Sequence, residues 1–249
     1  MKAFTTSIAC ALLLGVAVAQ EIKFCGPQMA LYQEVSYTCI DDYLLCPVIA
    51  GHKHKRCGES CYSDLQYNCT DDKILVELPE LETSYQVAVL REDFDFLDGQ
   101  IVNAKESTFV VGQQPEVSCP LPDCKGFKNI TVFAGKQPGS SPSKSAGLDT
   151  VVPGGQQGVI ELSGDFGYST PHSAFIPAGE YTGPGLFKGY KDGEFVFTGG
   201  KGWRACLVDD KGTLQIMQEI DGYQPKGLCI DIKLVTKSPG VPGPYAWSY

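Results

Sequence analysis

Six cysteines lie between residues 25 and 69, threaded through a duplication: Tyr32, Tyr37, Cys39, Asp41, Asp42 and Leu45 recur thirty positions later as Tyr62, Tyr67, Cys69, Asp71, Asp72 and Leu75. Self-similarity at a short fixed period means that each unit buries little by itself and leans on its neighbour. A segment this short has too small an apolar core to hold itself together, so cross-links must supply the stability. Ring-shaped side chains presented twice suit a ligand that itself repeats, and the common repeating ligands of secreted proteins are polysaccharides.

The gaps in the duplication bear on the cross-links. Aligning the copies sets Leu31 of the first opposite Cys61, and Val76 of the second opposite Cys46. In a tandem where the last cysteine of one unit bonds the second cysteine of the next, those two positions are the ends left without a partner. The expected pairing is Cys25 with Cys39, Cys57 with Cys69, and Cys46 with Cys61 between copies, while the other pairings that six cysteines allow stay open. Loops of this size each contribute about 3 kcal/mol in the chain-entropy view.

The chain opens with one Lys, an apolar run from Ile8 to Val18 and the small-residue end Ala17-Val18-Ala19, the pattern of a secretory signal peptide over residues 1–19. Mature protein is expected to begin at Gln20. Cys10 leaves with the signal, so ten of the 11 cysteines remain, an even number for an oxidising route. Asn68-Cys69-Thr70 and Asn129-Ile130-Thr131 are glycosylation acceptors, which places Asn68 and Asn129 at the surface. Without the signal, 19 basic side chains face 29 acidic ones, a formal charge of −10 that disfavours nucleic acid and anionic membrane surfaces as partners. No further apolar run is long enough to span a bilayer, and the polar end Gly243 to Tyr249 argues against a lipid anchor.

Residues 20–78 are read as the disulfide-rich module of two repeats, and residues 79–249 as a second domain. There, Tyr85 to Arg91, Thr108 to Val111, Thr131 to Phe133, Gly158 to Leu162, Glu194 to Thr198, Trp203 to Val208, Thr213 to Ile216 and Cys229 to Val235 are short, rich in β-branched or aromatic residues, and bounded by turn formers. The fold class is all-β, with a sandwich or closed barrel to bury these strands. Gly135 to Gly147 reads as a long surface loop. Of the pairings open to the four remaining cysteines, Cys119 with Cys124 and Cys206 with Cys229 are expected.

Cys57-Gly58-Glu59-Ser60-Cys61-Tyr62 and Gln66-Tyr67-Asn68-Cys69, with Tyr37-Thr38-Cys39 and Leu44-Leu45-Cys46-Pro47-Val48, resemble carbohydrate-binding module family 52. That resemblance implies a module of fungal secreted glucanases and wall proteins that binds β-1,3-glucan. Stacking of sugar faces on Tyr32, Tyr37, Tyr62 and Tyr67 is expected, with Asp41, Asp42, Asp71 and Asp72 taking hydroxyls. The competing reading packs the tyrosines against disulfides and uses the aspartates as turn formers. In the second domain, Leu97-Asp98-Gly99-Gln100, Phe109-Val110-Val111-Gly112, Ser118-Cys119-Pro120, Val152 to Gln157, His172-Ser173-Ala174 and Ala246-Trp247-Ser248-Tyr249 resemble the fungal phialide-protein-like wall family. This second likeness implies a secreted wall location and no catalytic residues.

Several motifs test an enzyme. Glu219-Ile220-Asp221 begins like the acidic strand of a laminarinase-like retaining glucanase, but the second glutamate is absent: Tyr223 and Gln224 stand where it belongs. A strand end entering a turn at Gly222 explains the fragment better. His172-Ser173 has no Gly-x-Ser-x-Gly elbow around it and is read as a structural histidine. Oxidative copper chemistry at a polysaccharide needs a histidine at the mature N-terminus, where Gln20 stands. His52-Lys53-His54-Lys55-Arg56 is read as a solvated connector between the copies, its three cations opposing a metal.

No catalytic residue, metal or cofactor is therefore expected. The expected protein is a secreted, non-enzymatic component of a fungal cell wall that binds β-1,3-glucan through its tandem units. Its rivals are a β-glucan hydrolase using scattered carboxylates (Asp165, Glu180, Asp209, Asp210) and a secreted module that binds proteins of another organism.

Overall fold

The computed structural model describes residues 22–136, 146–173, 175–176, 181–182, 186–223 and 227–249. The signal segment with Gln20, most of the Gly135 to Gly147 loop, Ala174, Glu180 and Gln224 lie outside them. Every regular element among the described residues is a β-strand.

Nine short strands build the first part: β1 (Ile22–Cys25), β2 (Ala30–Gln33), β3 (Tyr37–Ile40), β4 (Leu44–Ile49), β5 (His52–Lys53), β6 (Lys55–Cys57), β7 (Ser60–Tyr62), β8 (Tyr67–Cys69) and β9 (Leu75–Glu77). The duplication becomes two pairs of antiparallel hairpins, β1–β2 with β3–β4 in the first copy and β6–β7 with β8–β9 in the second. Asp41 and Asp42 both take left-handed φ, at 53° and 51°, so the β3–β4 turn has the primed geometry that matches strand twist. In the second copy the left-handed position moves to Lys73, which closes its turn on Thr70. These aspartates thus occupy turns in both copies.

Disulfides join the hairpins as the duplication implies: Cys25–Cys39 within the first copy, Cys57–Cys69 within the second, and Cys46–Cys61 between β4 and β7. From residue 22 to 77 the buried residues are Cys25, Cys46, His52, Cys57 and Ser63. Apart from cysteine, then, no apolar side chain in this region is buried. The module is held by covalent bonds and strand pairing in place of an apolar core.

His52 and His54 depart from the solvated connector. The chain there forms β5 and β6, and His52 is buried with Nε2 2.9 Å from Asp64 Oδ1. Alternation along this run sends His52 and His54 inward while Lys53 and Lys55 stay exposed.

The second part contains β10 (Gln86–Leu90), β11 (Asn103–Lys105), β12 (Thr108–Val111), β13 (Gly147–Leu148), β14 (Gln156–Ile160), β15 (Phe166–Tyr168), β16 (Phe187–Gly189), β17 (Phe195–Phe197), β18 (Gly202–Leu207), β19 (Leu214–Glu219) and β20 (Cys229–Lys237). One sheet runs in the order β10-β20-β18-β19-β12-β15-β14-β13, with β11 added to β12. Its two ends meet through one residue. Phe133 bridges Tyr85, just ahead of β10, and also Leu148 of β13. Tyr85 and Phe133 exchange main-chain bonds of 2.9 and 2.7 Å, and Ala134 N donates to Gly147 O at 2.7 Å. Closure of this kind removes both free edges, so of the two architectures expected the barrel is the one observed.

The barrel interior is aromatic: Phe109, Phe133, Phe166, Phe195 and Trp203 contact one another, and the β16–β17 hairpin adds Phe187 and Phe197. Trp203 satisfies its indole by donating to Phe195 O at 3.0 Å. Tyr249 locks a strand end through Gln156, whose side-chain oxygen accepts from Tyr249 N at 2.7 Å and whose amide donates to Tyr249 O at 2.8 Å. Disulfides Cys119–Cys124 and Cys206–Cys229 complete the covalent frame, the second joining directly opposed positions of β18 and β20.

Candidate functional site

The four tyrosines singled out by the duplication do not share one environment. Tyr37, on β3, is 44% exposed, whereas Tyr32, Tyr62 and Tyr67 are each half-buried. Tyr32 stands across from Lys23 on the β1–β2 hairpin, and Tyr62 across from Lys55 on β6–β7. Tyr67 stands across from Glu77 and turns toward the barrel.

Two further rings are displayed openly. Tyr43, at the foot of β4, is 58% exposed, with the Arg56 guanidinium 5.5 Å from its centroid. Arg56 comes from the second copy and also bonds Asp41 of the first at 3.0 Å, so this contact fixes one copy against the other. Phe24, opposite Leu31 on β1–β2, is also exposed. Neither ring belongs to the repeated pattern: position 73, thirty beyond Tyr43, holds Lys, and position 54, thirty beyond Phe24, holds His. Their exposure is what marks them.

Of the candidate hydroxyl acceptors, Asp42, Asp71 and Asp72 are exposed, and Asp41 is engaged by Arg56. Asn68 and Asn129 are both exposed.

The second copy is bound to the barrel by a dense polar contact. Gln66 Nε2 donates to Glu194 Oε2 at 2.8 Å, and Glu194 faces Lys233 Nζ at 3.0 Å. Glu77 accepts from Lys188 Nζ and the Tyr190 hydroxyl, and these two bonds hold its carboxyl below the usual carboxylate range. Burial alone raises the pKa of Asp64, but hydrogen bonds from Lys55 and His52 outweigh it and leave the carboxyl depressed. Main-chain bonds reinforce the join, Glu194 N donating to Leu65 O and Lys191 N to Pro79 O, each at 2.8 Å. The sequence carries no local signal for these contacts, since the partners lie far apart along the chain.

Two of the carboxylates weighed for catalysis, Asp165 and Asp209, are engaged in structure. Asp209 accepts from the main-chain N of Lys211 and Thr213, and Asp165 from Ser163 Oγ at 2.6 Å. Strand β19 ends at Glu219, which pairs with Arg204, and Asp221 enters a turn closed between Ile220 and Tyr223. His172 sits exposed with φ of 61° in a turn that the Ser173 N to Thr170 O bond closes, not packed as a structural histidine.

Residues 24–74 match a family model described as "Carbohydrate binding". Over 169 residues, 64% of this chain and 80% of the other, the chain is 32% identical to a protein of Arthroderma benhamiae named "Uncharacterized secreted protein". The chain belongs to that protein's family. No solved structure matches it. Within this family member, the matched residues 24–74 take in the first copy from Phe24, the second copy short of β9, and all three disulfides of the duplication.

Proposed function

We propose that this is a secreted, non-enzymatic fungal cell-wall protein that holds β-1,3-glucan through its tandem N-terminal units, residues 20–78, while residues 79–249 form the wall-protein domain. The observation that carries the reading is the carbohydrate-binding match over a region whose buried residues are chiefly cysteines and whose rings Tyr37 and Tyr43 stand open to solvent. Sugar rings present flat C–H faces that stack on such side chains. The exposed carboxylates of Asp42, Asp71 and Asp72 are ready acceptors for hydroxyls, and Tyr32, Tyr62 and Tyr67 complete the proposed set.

Two weak sites on one repeating polymer make the second contact intramolecular, so avidity exceeds single-site affinity by factors of roughly 10² or more when both reach one fibril. The relative's name supports a secreted protein, and the paired cysteines agree with an oxidising compartment. The linkage is tested by screening the intact protein against immobilised β-1,3-, β-1,4- and β-1,6-linked glucans. Selective retention on the β-1,3 polymer is expected; equal retention on all three, or on none, overturns the assignment.

A further inference from the structure

The inward-facing row of β19 runs Leu214, Ile216, Gln218, and the last of these breaks an otherwise apolar pattern. Gln218 lies directly across from Trp203 and is only 1% exposed. Its side-chain oxygen has no hydrogen-bond partner. A buried amide oxygen left unbonded costs about 1–3 kcal/mol, so its presence at the barrel's end calls for a reason.

Gln218 and Trp203 line a cleft of 530 Å³ where the second copy meets the barrel, a volume within the range of small-ligand sites. His54, on the same cleft, also carries a buried ring nitrogen, Nδ1, without a partner. A β-carbon on Gly200 would fall 2.1 Å from Gln218 Nε2, so glycine at that position leaves the amide its room.

The cleft's charges are already matched: Glu77 with Lys188, Glu194 with Lys233, and Lys201 with Asp221. An ionic ligand finds no uncompensated partner among these pairs, whereas a hydroxyl-rich neutral one meets the unbonded Gln218 amide enclosed in the cleft wall and the half-buried ring of Tyr67. We propose that this cleft is a second binding site, distinct from the outer face of the repeats, that takes a short stretch of neutral sugar chain. The ligand class rests on the carbohydrate reading above; the site itself rests on the cleft and its unpartnered groups.

Trp203 and Trp247 are the two tryptophans, so a Trp247→Phe protein leaves Trp203 as the sole indole reporter. Titrating that protein with a β-1,3-linked glucose tetramer, and with the β-1,4-linked tetramer for comparison, is expected to give a saturable fluorescence change for at least one. Gln218→Leu in the same background should weaken it about tenfold, the loss of one hydrogen bond to a buried acceptor. Gly200→Ala, which crowds the amide from outside the core, should weaken it as well, and it serves if Gln218→Leu does not fold.

No saturable change with either tetramer, or an unchanged affinity in both variants, overturns the proposal. Sedimentation of each variant with insoluble β-1,3-glucan separates the two readings. A protein that titrates at Trp203 but never sediments keeps the cleft and loses the module's role; one that sediments without titrating does the reverse.

Discussion

Glu194 and Lys233 form an ion pair with both carboxylate oxygens 3.0 Å from Nζ and both side chains 7% exposed. Gln66 of the second repeat bonds the same carboxylate, so the join between module and barrel is built on a buried charge. Desolvating such a pair offsets much of its attraction, and what it secures is geometry. Removing one member strands the other. Glu194→Ala is expected to cost about 3–5 kcal/mol in urea unfolding, while replacing both residues with Met stays close to neutral. Gln66→Ala should cost about 1.5–3 kcal/mol, as expected for a hydrogen bond to a charged group.

Barrel closure depends on Phe133, which is fully buried, touches Tyr85, Phe109, Phe166 and Phe195, and bridges the two sheet ends. Phe133→Ala should lower stability by about 3–5 kcal/mol, read from denaturant midpoints. Phe133→Leu keeps most of the volume and should lose less than half as much.

Acid should loosen the join before it unfolds the barrel. Burial, then the charges of Lys233 and His52, hold the His54 pKa below 6.5. Its folded state thus binds fewer protons than the unfolded chain just below pH 6.5, and stability falls as pH drops through that window. Asp64, whose folded pKa is also depressed, adds a second loss as pH falls below 3.8. Unfolding midpoints from pH 7.5 down to 5.0 should decline in the native protein and decline less in His54→Phe. A flat native profile would contradict the assignment.

The Cys46–Cys61 bridge is the disulfide that spans the two hairpin pairs, beside the Arg56 contacts with Asp41 and Tyr43. A Cys46→Ala, Cys61→Ala double variant should lose about 3 kcal/mol from the module. Limited proteolysis is expected to cut within residues 22–77 while the barrel fragment persists.

The cysteine framework of the repeats was legible because a duplication with two gaps says which ends lack partners. Strands such as Thr108–Val111 and Cys229–Lys237 announce themselves through β-branched residues, and their long-range pairing follows from closure. By contrast, Phe166–Tyr168 and Phe187–Gly189 are three-residue strands containing Gly, too short for alternation to register. Closure itself was hidden, since Thr131 to Phe133 reads as one more strand and only the fold shows that it joins the two ends. His52 and His54 looked solvated among Lys and Arg because strand alternation hides the imidazoles and leaves the lysines outside. Tyr67 looked equivalent to Tyr37, but its surroundings come from the barrel, more than a hundred residues along the chain.

The central claim is tested most directly by sedimenting the intact protein with insoluble β-1,3-glucan beside a Tyr37→Ala, Tyr43→Ala variant. Tyr37 is exposed and Tyr43 gives up only its contact with Arg56, so the variant should unfold within about 1 kcal/mol of the parent. Depletion of the parent from the supernatant, with affinity at least about fivefold weaker in the variant, is the expected result, since each ring that stacks on a sugar face supplies about 0.5–1.5 kcal/mol. A parent that stays in solution, or a variant that sediments equally well, would contradict the account.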